Sequence, residues 1–334
     1  MVKRLIGATL LGAAVMAATT STETYKYAPE VKPKFHGKIS LACVGVLWKD
    51  NTPKGANKAD SVCRQVDNFF RRNSRGILDF KTEGFQVKVP FNQAGKNIAE
   101  ATQFVKKQKP GFDKYAVILG PILTSHAGGG VAYLRGSLYR DAQHEVGHLM
   151  GLGHAGAYKE VKGKMALDAY GDGESVMSRM PSSTLTAPQY YHQGYLPKTE
   201  AVIYEPGKTY TLKQTANASL QALSVVILPQ AMFNGQVAPD AKPGAKGVRD
   251  AYVSHSNKWK NCAVLHLSQG GGSQRVRVIC GEYYDDDFTG LHVKVLKKET
   301  ATITVSLDFA KKPAGFKAED EPKDDEPESD SEVD

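Results

Sequence analysis

The chain has 334 residues, with 43 Lys and Arg against 35 Asp and Glu, a formal charge of +8, 41% hydrophobic and 23% charged residues. These proportions are near globular averages, which excludes a wholly disordered or fibrous chain and leaves room for one large domain or two ordinary ones. The charge is uneven: residues 311–334 hold four Lys and ten Asp or Glu, net −6, so residues 1–310 carry +14. The basic residues are nevertheless scattered and form no nucleic-acid-binding motif, so nucleic acid is not expected as a partner.

In chain order, MVKRLIGATLLGAAVMAATTS opens on Lys3 and Arg4, runs apolar from Leu5 to Met16 and ends on the small residues Ala17 and Ala18. That is the layout of a secretory signal peptide, residues 1–18, and it is short for a membrane span, which needs about 20 apolar residues. The mature chain is expected to begin near Thr19 with a linker, 19–37. No later segment is long and apolar enough for stable membrane insertion, and export makes the expected location extracellular.

KISLACVGVLW, from Lys38 to Trp48, reads as a buried strand. The next segment places Val62, Val66, Phe69 and Phe70 at helical spacing. RGILDFKTEGFQVKVPF alternates as a strand or hairpin, NIAEATQFVKKQ is a second amphipathic helix, and KYAVILGPI is another buried strand. Alternating strands and helices imply a sheet covered by helices, assigned to a domain over 38–199. HAGGGVAYLRGSLYR reads as a Gly-rich loop leading into an edge strand around Gly128 to Gly136. The helix after it is expected to be capped by Asp141 and to break near Gly151 and Gly153. Beyond about Lys198, Val- and Thr-rich alternating runs predict a β-sandwich-like module over 200–310. The acidic tail, 311–334, lacks apolar residues to bury and is expected to be disordered. The fold class is therefore α+β.

Four cysteines, an even number, suit an oxidising compartment. Of the three possible pairings, Cys43–Cys63 with Cys262–Cys280 keeps each bridge inside one expected domain.

Chemistry concentrates in HEVGHLMGLGHAG, His144 to Gly156. His144 and His148, four apart, project from one helix face and can share a metal ion. Glu145 lies beside the first of them, where a carboxylate can reach a metal-bound water. Gly151 lets the chain leave the helix sharply, so that His154 folds back as a third ligand. Three nitrogens leave the fourth tetrahedral position of a Zn2+ ion open, as in a catalytic site. Outside this motif, His126 and His192 read as ordinary polar residues, and His36, His255, His266 and His292 as structural or solvated. Gly171 to Glu174, GDGE, reads as a turn, with calcium binding as the alternative. Asn217-Ala218-Ser219 is a glycosylation sequon, meaningful in a eukaryotic source.

HExxHxxGxxH resembles the metzincin signature. Met177, within AYGDGESVMSRM, matches the methionine of the turn that metzincins place beneath the zinc; Met180 is the rival, with poorer spacing. That segment, TLTAPQYYHQGYLP after it and FFRRNSRGILDF before the motif are similar to the gametolysin-like peptidase family. The resemblance covers roughly residues 38 to 230. It implies a metzincin-like catalytic domain over 38–199, with a twisted mixed sheet, a zinc-binding helix and a Met-turn. It also implies one catalytic zinc on His144, His148 and His154, Glu145 as base, and an edge strand that pairs with an extended substrate. Two features depart from the pattern. Arg179 stands where some metzincins have a tyrosine able to reach the metal, although Tyr190 and Tyr191 are near in sequence. No cysteine-bearing propeptide is present.

The expected function is secreted zinc-dependent endopeptidase action on a protein or glycoprotein, by Glu-assisted attack of zinc-bound water. The C-terminal module is expected to associate the enzyme with a cell surface or extracellular matrix. The rival readings are an adhesion protein with a vestigial zinc site and a zinc hydrolase of a non-peptide bond.

Overall fold

The structure, a computed structural model, describes residues 24–309 apart from 95–96, 121–123, 162–163, 180–181, 230–249, 269–271 and 287–289. The expected signal peptide and acidic tail lie outside the described residues. The fold is α+β, as expected, and is built on three sheets.

β1 (Gly37–Leu47) is an interior strand of the first sheet, and its sequence shows why. Leu41 and Cys43 point into one apolar core, while Ala42, Val44 and Val46 point into a second on the opposite face. A strand buried on both faces reads as a continuous apolar run. β2 (Leu78–Lys88) and β3 (Lys114–Ile118) flank it in parallel; β2 is a single strand rather than a hairpin. β5 (Val131–Leu134) continues the parallel set, and β4 (His126–Gly128) closes it antiparallel, giving the order β2-β1-β3-β5-β4. The edge strand is thus β4, just before the expected range, and the Val131–Leu134 stretch lies one strand in.

α1 (Ala59–Asn73) presents Val62, Val66, Phe69 and Phe70 to the first core, and α3 (Tyr139–Leu149) lies beside it. α2 (Ile98–Gln108) covers the other face through Ala101 and Val105. Cys43 of β1 and Cys63 of α1 form a disulfide, Cα–Cα 5.6 Å, which ties strand to helix.

Strand pairing in the second half crosses the expected division at 199/200. After α3, β6 (Ala155–Val161) and β7 (Lys164–Asp168) pair antiparallel, and α4 (Ala187–His192) follows. Beyond these come β8 (Ala201–Ile203), β9 (Thr209–Lys213), β10 (Val225–Leu228), β11 (Asp250–His255), β12 (Ala263–Ser268) and β13 (Ser273–Ile279). β6 pairs in parallel with β13, so a seven-stranded sheet, β7-β6-β13-β12-β11-β10-β8, spans both expected domains. One apolar core runs from Leu41 to Leu307 without a break at residue 199. β14 (Tyr283–Asp286), β15 (Leu291–Lys298) and β16 (Thr302–Phe309) join β9 in a four-stranded antiparallel sheet. The second disulfide, Cys262–Cys280, has a Cα–Cα distance of 4.3 Å.

The segment expected to be a linker also joins the fold. Ala28 donates to the Ala201 carbonyl at 2.9 Å and Ile203 to that of Lys26 at 2.8 Å, so the chain before β1 lies against β8. Among the described residues, no helix is long and apolar enough to cross a membrane.

Candidate metal centre

α3 begins at Tyr139 with Leu138 at the cap position and no side-chain cap. Asp141 is therefore not the N-cap; it lies in the first turn, where a negative charge suits the helix dipole. The C-terminal end is decided by Gly151, with φ +79°. Gly151 N–H donates to the His148 carbonyl at 2.9 Å and Leu152 N–H to the Gly147 carbonyl at 3.0 Å. This is a Schellman motif, whose left-handed residue is usually glycine. It reverses the chain within three residues and returns His154 towards the helix.

His144, His148 and His154 converge: one ligand atom from each lies within 4.8 Å of the others. Nδ1 of His144 donates to the Val176 carbonyl at 3.0 Å, and Nδ1 of His148 to that of Leu152 at 2.9 Å. Those bonds fix the tautomer and leave each Nε2 as an acceptor; the two Nε2 atoms lie 3.2 Å apart. Burial pushes His144 and His154 down to about 4 and also lowers His148, so all three rings are neutral near pH 7. Neutral imidazoles in a half-buried cluster are the donor set that zinc takes. The three residues therefore fit a single such ion.

Glu145 is 6% exposed. Burial pushes its carboxyl up to about 7, with repulsion from Asp141 adding to the rise. Met177 is fully buried under α3, and a β-carbon added at Gly147 would meet its Sδ at 2.6 Å. The loop around Met177 braces the cluster on both sides. Val176 accepts from His144, and the Met177 carbonyl accepts from Ala155 N–H at 2.9 Å, directly after His154. Gln189 of α4 reaches the same place, donating from Nε2 to the Gly153 carbonyl at 3.1 Å.

The far half of the chain also holds this site. Ser273 of β13 donates its N–H to the His154 carbonyl at 3.1 Å. The GDGE turn is buried between the halves: Asp172 meets His266 Nε2 at 2.9 Å, and Glu174 accepts from Ser256 Oγ. Both carboxylates accept from protein donors, in keeping with the reading of GDGE as a turn. His266 is accordingly a buried partner. His192 lies 3.0 Å from the Tyr252 hydroxyl, and His126 is exposed and stacked on Tyr133, so neither joins the cluster.

Tyr190 and Tyr191 are also elsewhere, their hydroxyls donating to Asn73 Oδ1 at 2.6 Å and to the Pro29 carbonyl at 2.9 Å. The tyrosine at the cluster is Tyr170, whose ring centroid lies 4.1 Å from that of His154 and 6.3 Å from that of His144. Burial raises its phenol pKa, and the charge of Glu145 raises it further. Tyr170 carries no spacing signal relative to the histidine motif; the turn at Gly171 that carries Asp172 inward places it here.

No family model and no curated protein matches this sequence.

Proposed function

We propose that the chain is a secreted zinc-dependent endopeptidase. One observation carries the reading: three neutral, half-buried histidines converge within 4.8 Å, with the buried Glu145 on the same helix. A bound zinc ion would supply Lewis-acid polarisation of the scissile carbonyl and lower the pKa of a water from about 15.7 towards 7. Glu145 would accept the proton of an attacking water and return it to the leaving amine, a role that favours a pKa close to the working pH. Nδ1 of His144 and of His148 stay protonated on their carbonyls throughout, which keeps both rings oriented. β4, the edge of its sheet, offers its outer side to an extended peptide as an added strand. Two disulfides accord with export to an oxidising compartment.

The test separates chemistry from metal binding. Glu145→Ala should keep about one zinc per chain while peptide cleavage falls by at least about 10²-fold, the usual loss on removing a general base. His148→Ala should lose zinc and activity together. An adhesion protein with a vestigial site would show no Glu145-dependent cleavage, and a non-peptide hydrolase would leave every peptide intact. Full proteolysis by both variants would end the zinc-peptidase reading.

A further inference from the structure

A second feature lies beside the histidine cluster. A cleft of about 490 Å³ opens between α3 and the segment after Met177, with Arg140, Ser182, Thr184, Asn257 and Lys258 in its lining. Its size is within the range of about 300–1,000 Å³ usual for ligand clefts. Arg140 stands one turn before His144, on the same stripe of α3. The opposite wall is bonded to the cluster's own support. The Thr184 carbonyl accepts from Val176 N–H at 2.9 Å, and the Val176 carbonyl holds His144.

The lining is cationic and lacks counter-charge. Arg140 donates through Nη2 to the Ser178 carbonyl, while its Nε is buried without a hydrogen-bond partner among the described residues. The Lys258 amine lies over Gly173, where a β-carbon would stand 2.5 Å from Nζ, and 5.0 Å from the Trp259 ring centre. Arg72 adds a third cation at the rim, donating to the Ser183 carbonyl at 2.7 Å. Among the described residues none of these three forms an ion pair with a carboxylate. The acidic groups close by are Asp141, next to Arg140 in sequence, and Glu174. Glu174 is 1% exposed and spends its Oε1 on Ser256 Oγ and on Lys258 N–H. The hydroxyls of Ser182 and Thr184 both donate to the Glu174 carbonyl at 2.7 Å, so they stiffen the wall and leave recognition to the cations.

We infer that this cleft is a specificity subsite for an acidic side chain, Asp or Glu, of a peptide substrate seated at the histidine cluster. Arg140 and Lys258 would grip the carboxylate from two sides. The inference rests on the peptidase reading and deepens it. Charge-assisted hydrogen bonds discriminate more than neutral ones, and a neutral isostere leaves the charges of Lys258 and of the partly buried Arg140 uncompensated.

The test uses the full-length Glu145→Ala chain loaded with zinc, so that binding is read without turnover. Fluorescein-labelled peptides carrying one Glu, walked through the sequence, are compared by anisotropy with their Gln counterparts. At one position the Glu peptide should bind at least about tenfold more tightly, the discrimination expected of a hydrogen bond to a charged group. Lys258→Ala should bring that ratio close to one, and Lys258→Glu should favour a Lys peptide instead. Lys258 is exposed, so these substitutions leave the core packing alone. Arg140→Lys, which keeps the charge but loses the planar fork, should reduce the ratio less than Lys258→Glu. Inorganic phosphate, which competes for the same cations, should erase the Glu preference at levels that leave the Gln peptide bound; a Glu preference untouched by phosphate would overturn the inference. Equal binding of Glu and Gln peptides at every position would overturn it, as would a preference that survives both Lys258 variants. Cleavage by the wild-type chain without acidic preference refutes the subsite alone. An acidic preference in binding with no cleavage by the wild-type chain refutes the peptidase reading alone.

Discussion

Gly147 lies in the middle of α3, between Glu145 and His148, and Gly147→Ala tests how tightly the Met177 loop is seated. In a helix interior, Gly to Ala ordinarily stabilises by about 0.5–1 kcal/mol. Here the added β-carbon would stand 2.6 Å from Met177 Sδ and 3.3 Å from both Met177 Cε and Leu152 Cδ1. Optimal non-bonded separations are about 3.5–4.0 Å, so the sulfur must retreat by roughly 1 Å. Met177 is fully buried and has no solvent to retreat into. Overpacking of this kind costs about 1–3 kcal/mol. The clash therefore outweighs the propensity gain, for a net loss of about 1–2 kcal/mol, or roughly 1.5–3 °C in Tm for a chain of this size. Retreat of Met177 also drags its carbonyl from Ala155 and the Val176 carbonyl from His144, so zinc should be held about 10- to 100-fold more weakly. The assay is thermal unfolding at fixed excess zinc, because a ligand bound to the folded state shifts Tm, followed by a zinc competition titration. Repeating both in a Met177→Ala background closes the cycle. With the sulfur gone, Gly147→Ala should become neutral or stabilising, a coupling of about 2 kcal/mol. A rise in Tm for Gly147→Ala in the wild-type background, or an equal effect in both backgrounds, would refute the contact and the bracing role drawn from it.

Tyr170→Phe should leave zinc content near one per chain; if the phenol, whose ring lies 4.1 Å from that of His154, donates a hydrogen bond to a reacting oxygen, kcat should fall about 10-fold or more, and an unchanged kcat would reduce Tyr170 to a packing residue. Glu200 accepts from Arg75 at 2.8 and 2.9 Å, from Lys213 at 2.8 Å and from Ser224, and Lys213 is 1% exposed. Glu200→Gln strands that buried ammonium and should cost about 3–5 kcal/mol in chemical denaturation at pH 7. Burial alone would raise the Glu200 pKa, but the hydrogen bonds from Arg75, Lys213 and Ser224 hold it below its ordinary value. A depressed carboxyl stabilises the fold fully above its unfolded pKa, near 4.3, and loses that contribution as pH falls through the folded value. Wild-type stability should accordingly drop more steeply below about pH 4 than that of Glu200→Gln, and parallel curves would show that the bonds do not depress the group.

Local patterns were legible where the physics is local. Val62, Val66, Phe69 and Phe70 share one face of α1 because a helix turns once per 3.6 residues. The return of His154 could be anticipated because Gly151 supplies the left-handed residue that a tight helix exit requires. The start of α3 was misplaced for an equally local reason. Asp141 favours a cap, but it also favours the first turn, and its side chain alone does not decide between them. Long-range pairing carried no such signal. Nothing in AGAYKEV indicates that β6 will lie parallel to a strand that begins at Ser273, so the change of texture near Lys198 looked like a boundary. Tyr170 and the Arg140–Lys258 cleft were missed on the same ground, since each depends on chain segments brought together by the fold.

The crossing of that boundary changes what the C-terminal strands are for. An accessory module would touch the N-terminal half through a surface of its own and leave the histidine cluster complete without it. Here the residue after His154 opens a strand of the seven-stranded sheet, and Ser273 of that sheet holds the His154 carbonyl. Asp172 and Glu174, which set the path from Tyr170 to Met177, are satisfied by His266 and Ser256 from the same half. Leaving such carboxylates buried without their donors costs more than exposing them to water. The segment from residue 170 to 177 would then relax outward, taking the Val176 carbonyl off His144. The third histidine and the orientation of the first thus both depend on strands that lie more than half the chain away from α1. If an ion is held by all three imidazoles, the free energy of holding it is linked to docking of the C-terminal sheet. The two halves share one sheet and one apolar core.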